Sequence, residues 1–115
     1  MEIFPDKDLP RWLNYPPEYL RLVEYGLFKF SPWYLLNEKL ARLRYEGLRK
    51  RYPKQELFPF AARLDNDDIV CWENDVSNVI IMHDFASEGY TNRRAFPGFW
   101  DWFRAAIEDM IEYEG

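Results

Sequence analysis

From Leu57 the chain alternates. Phe58, Phe60, Ala62 and Leu64 stand on one parity, and Pro59, Ala61 and Arg63 on the other. A period of two is that of a strand with one face toward a core. A second run of β-formers, Ile69-Val70-Cys71-Trp72, follows after Asp65-Asn66-Asp67-Asp68. Short Asp and Asn side chains bond their own backbone and accept turn dihedrals, so the two runs and the polar cluster between them predict a hairpin. A polar turn at 73–78 leads into a strand from Val79 to Phe85. Its first four residues are apolar on both parities, which predicts cover on both sheet faces.

Elsewhere the period is helical. Pro16-Pro17-Glu18 suits a helix start, because the first turn tolerates proline and favours an acid. Tyr19, Leu20, Leu22, Val23 and Tyr25 supply the apolar stripe, and Gly26 the stop. Leu27–Leu36 is aromatic-rich and broken by Ser31-Pro32, which predicts a short strand, a kink and a second extended piece. Asn37 caps a helix over 38–51, with Leu40, Leu43, Leu48 and Tyr52 in helical spacing, and Pro53 ends it. Glu38–Arg42, Arg42–Glu46 and Glu46–Lys50 are i,i+4 pairs, worth ~0.3 kcal/mol each when exposed. Residues 86–95 read as a loop. A last helix follows, with Pro97 at its first position and Phe99, Trp102, Phe103, Ala106, Ile107 and Met110 on its apolar face. Residues 1–14 show no period and read as an irregular arm tied down by Phe4 and Trp12. The sequence predicts one α+β domain over 1–115: a central antiparallel sheet with packed helices and a C-terminal amphipathic helix.

Composition narrows the class. Aromatic residues make up 19% of 115 residues. Rings of that size bury enough area to hold a small core without metal or disulfide. Cys71 is the only cysteine, so no internal disulfide forms, which fits a reducing compartment. No run is apolar enough to span a membrane, and the start lacks the pattern of a signal peptide, so the chain reads as cytoplasmic. The net charge of −5 is uneven. Segment 38–54 carries seven bases against Glu38 and Glu46, whereas segment 65–75 carries Asp65, Asp67, Asp68, Glu73 and Asp75 with no base. Such blocks are either solvated faces or a field that selects a partner.

Taken together in order, several stretches resemble the SMI1/KNR4 family, also called the SUKH superfamily. They are "YPPEYLRLVEYGLF", "PWYLL", "LFPFAARLDNDDIVCWEN", "VIIMHDFASEGY" and "FPGFWDWFRAAIED". The resemblance runs from about residue 15 onward, with Pro59-Phe60-Ala61-Ala62, Asp65–Ile69, His83-Asp84-Phe85 and Phe99–Phe103 as its strongest marks. Glu24-Tyr25-Gly26 departs from it, because many members carry paired glycines there. The resemblance implies an α+β domain. It also implies a role as a bacterial immunity protein that binds and neutralises a toxin, often a nuclease, with no established catalytic residues to carry over. Eukaryotic members imply an alternative, a regulatory or scaffold domain linked to cell-wall control and signalling.

The candidate chemistry is sparse. Asp65–Asp68 fails as a calcium loop of the EF type. Counted from Asp65, the fifth and sixth positions are Ile69 and Val70, where a ligand and a glycine are needed. The cluster therefore reads as a turn or as an acidic contact surface. His83-Asp84 invites a reading as a base with its orienting carboxylate, but neighbours on a strand point to opposite faces. Cys71 sits in an apolar run where a thiol is inert. A small hydrolase using His83 is the weakest alternative. The basic helix is not matched by a basic domain or by stacking aromatics, so nucleic acid is not an expected partner. The leading expectation is a non-enzymatic protein-binding module without metal or cofactor, whose partner is a basic protein toxin steered by charge. Asp65, Asp67, Asp68, Glu73 and Asp75 are its expected contact residues, and Tyr90 and Trp100 its aromatic anchors.

Overall fold

A computed structural model describes residues 1–74, 78–85 and 92–115, the side chains of Asn92 and Arg93 excepted. Pro16 and Pro17 pre-set the entry to helix α1, Pro17–Glu24, and Gly26 leaves it at φ 72°, where a side chain would be strained. The aromatic stretch folds as expected into two short strands, β1 (Lys29–Phe30) and β2 (Trp33–Leu35), with a cis Ser31–Pro32 peptide between them. The Asn37 side chain accepts the Leu40 N–H at 2.9 Å and starts α2, Glu38–Arg51. The hairpin follows as β3 (Leu57–Arg63) and β4 (Asp68–Glu73), and then β5 (Val79–His83). A sixth strand, β6 (Asn92–Phe96), precedes α3, Phe99–Glu112.

Among the described residues six strands form one antiparallel sheet in the order β1-β2-β3-β4-β5-β6. The fold is α+β, an open sheet with three helices packed against it. Its core is aromatic. Phe60 meets Tyr19 of α1 and both Phe99 and Trp102 of α3, with ring centroids 5.2–5.9 Å apart. Trp102 also stands edge-on to Phe30 and Trp33. Residues 79–82 are buried on both parities, as are 57–62 and 68–72, so both faces of the central strands are covered. The N-terminal arm is tied down as expected at Phe4, which packs against Phe58 and Tyr45. The Tyr15 hydroxyl donates to the Phe4 carbonyl at 2.7 Å.

Five expectations are corrected. Residues 92–96 are a strand and not part of a loop. Backbone pairing carries β6, with Val79 opposite Phe96 and Ile81 opposite Arg94, and a polar edge strand gives no apolar alternation to read. Pro97 stands before the helix and not at its first position, because Gly98 is the N-cap. β5 stops at His83, and Asp84 and Phe85 form a turn, with Phe85 at φ 65°. Leu64 does not continue the apolar stripe of β3: it is exposed beyond the strand end, its N–H bonded to the Pro32 carbonyl. In α2 the buried positions are Ala41 and Leu48, while Leu43 faces solvent. The face is rotated because Tyr45 packs on Phe58 and Arg44 reaches toward Asp84.

Candidate functional site

The expected contact acids do not form one patch. Asp68 opens β4 and Glu73 closes it, so about 17 Å of extended chain separates them. At the turn, Asn66 Oδ1 accepts the Asp68 N–H at 2.8 Å, a local bond that makes the bend. Asp65 is exposed and accepts from the Arg63 guanidinium at 2.6 Å, which holds its carboxyl below the usual carboxylate range. Arg63 also approaches Asp109 at 3.6 Å and lies over the Trp33 ring. Asp68 is buried, with its Oδ1 3.2 Å from His83 Nδ1. Only Asp67 of this group is an exposed acid without an ion pair to a described residue. Asp75 and Tyr90 lie outside the described residues.

His83 and Asp84 take separate partners, His83 from the end of β5 and Asp84 from the turn that follows it. Asp84 is fully shielded. Arg44 donates to it at 3.0 Å, and Arg51 donates twice, at 2.9 and 2.6 Å. The basic face of α2 is thus partly an inward clamp on one acid. The sequence signal for it was the seven-residue spacing of Arg44 and Arg51, which puts both on one side of a helix. Cys71 is completely buried, and burial pushes its thiol well up, so it offers no thiolate. Among the described residues no three His, Cys, Asp or Glu side chains converge as metal ligands.

The remaining expected residues, Glu73 and Trp100, do come together. They line a cleft of about 790 Å³ where the N-terminal arm, the start of α1, the end of β4, the start of β5 and the start of α3 meet. Its walls include Trp12, Pro16, Trp72, Phe99 and Trp100, and its acids are Glu18, Glu73 and Asp101. No Lys or Arg is among the described residues lining it. Trp12, Glu18, Glu73 and Trp100 are each partly exposed, so rings and carboxylates are reachable from outside. Glu18 and Asp101 occupy the first turns of α1 and α3, where an acid favours the helix. Asp101 also meets Arg104 at 3.7 Å on the surface. Glu18 and Glu73 make no ion pair with a described residue.

Comparison of the chain with protein-family models, with curated proteins and with solved structures finds no match. An aromatic cleft rimmed by carboxylates, with no nucleophile among its described lining residues, is suited to holding a cationic or amphipathic group. Sequence reasoning reached Glu73 and Trp100 but missed Trp12, Glu18 and Asp101. The first-turn position of the two acids was legible, but their convergence was not, because it depends on how two helix starts meet one sheet end.

Proposed function

We propose that this protein is a non-enzymatic binding module of the SMI1/KNR4 type, an immunity protein that occludes a basic protein toxin, and that the cleft beside Glu73 and Trp100 is its point of attachment. The observation that carries the reading is the union in one open cleft of partly exposed tryptophans with two carboxylates, Glu18 and Glu73, that make no ion pair with a described residue. Interface hot spots are rich in such aromatics. Carboxylates add steering toward a positively charged partner, and with it salt-sensitive association. The turn at Asp65–Asp68 supports the same reading less well, since Arg63 and His83 already engage two of its three acids.

The test is co-expression with the product of the adjacent gene, read as rescue from toxicity and as co-purification. Wild type rescues and co-purifies. The double variant Glu73→Lys/Trp100→Ala does neither while keeping its far-ultraviolet circular dichroism. Asp65→Lys/Asp67→Lys behaves as wild type. Full rescue by the folded cleft variant, or no rescue by wild type, would overturn the proposal.

A further inference from the structure

Among the described residues one arrangement recurs three times. A guanidinium lies over an aromatic ring while its nitrogens meet a carboxylate. Arg63 lies 5.4 Å from the Trp33 ring centre and bonds Asp65. Arg51 lies 4.1 Å from Phe85 and forks onto Asp84. Arg42 lies 4.5 Å from Phe4 and meets Asp8 at 3.4 Å. The planar, weakly hydrated guanidinium suits this double contact in a way that a compact ammonium does not.

The cleft presents the receiving half of the same arrangement, rings and carboxylates, with no cation among its described lining residues. Arg21 of α1 lies beside it. It stands 5.8 Å from the Trp100 ring centre, at the far end of the useful range, and is not one of the lining residues. The starts of α1 and α3 each contribute about half a positive charge. That offsets only part of the two full charges of Glu18 and Glu73. We infer that the cleft receives a single arginine side chain from a loop of the partner protein, its plane against Trp12 or Trp100 and its nitrogens on Glu73 and Glu18. This inference rests on the binding-module reading and names what the cleft recognises.

The test uses the whole chain without any partner. It is titrated with acetyl-Gly-Arg-Gly-amide and with the same peptide carrying lysine or the neutral isostere citrulline, read by proton–nitrogen correlation spectra. With arginine, the indole N–H signals of Trp12 and Trp100 shift and saturate. Citrulline binds at least about tenfold more weakly, the ratio that one lost charge-assisted hydrogen bond of about 1.4 kcal/mol gives. Glu73→Gln weakens arginine by a similar factor and leaves citrulline unchanged. Equal binding of arginine and citrulline, no shifts at all, or shifts confined to Asp65–Asp68 would overturn the inference. Toxin rescue scored separately would then still stand or fall independently.

Discussion

A carboxylate shut away from water costs several kcal/mol unless its charge is met, and Asp84 is met twice over. Two guanidiniums supply three hydrogen bonds, and the Phe85 N–H adds a fourth from the local backbone at 2.9 Å. Removing the acid leaves both arginines, about a quarter exposed, facing each other without a counter-charge. Asp84→Ala should therefore lose about 3 kcal/mol of stability, measured as a lower urea midpoint at unchanged slope. Arg51→Lys keeps the charge but loses the fork, and should fall between that variant and wild type. A midpoint for Asp84→Ala equal to that of wild type would show that the clamp contributes nothing net. In the sequence Asp84 was visible only as the neighbour of His83. Its true partners lie 33 and 40 positions earlier, a separation that no local pattern reports.

At the scale of elements, the start of α2 depends on one side chain. Asn37 accepts the Leu40 N–H, and Glu38 at the start and Arg49, Lys50 and Arg51 at the end of the helix complement its dipole. Asn37→Ala should cost about 1 kcal/mol in thermal or urea unfolding, and Asn37→Asp close to nothing. A neutral alanine would mean that packing alone fixes where the helix begins. This boundary was readable beforehand because capping is local chemistry. The inner face of the same helix was not, since leucine spacing pointed to Leu40 and Leu43 while Tyr45 and Arg44 found the better partners across the sheet. β6 was hidden for a related reason. An edge strand held by backbone bonds needs no apolar stripe, and charged residues there discourage pairing with other chains.

At the scale of the whole molecule, stability rests on a network of rings. Trp102 is completely buried and touches Phe30, Trp33, Phe60 and Phe99, which belong to β1, β2, β3 and α3. Trp102→Ala should cost about 3–5 kcal/mol, measured by chemical denaturation, with Trp102→Phe losing less. A loss below about 1 kcal/mol would mean that the surrounding rings collapse into the space. The fold class was legible because strand and helix periods alternate along the chain. The cleft was not, because its walls come from residues 12–18, 72–74, 79 and 97–101, four stretches that only the finished packing brings together. Among the described residues no helix is long and apolar enough to cross a membrane.

The strands lie side by side in the order in which a ribosome releases them. Each newly made strand thus finds its neighbour already waiting, and no earlier segment has to be displaced. The lid over Phe30, Trp33 and Phe60 is synthesised after all six strands. Until α3 clears the exit tunnel, the sides of those rings that Trp102 covers stay bare, and a nascent chain paused before Phe99 is a sticky one.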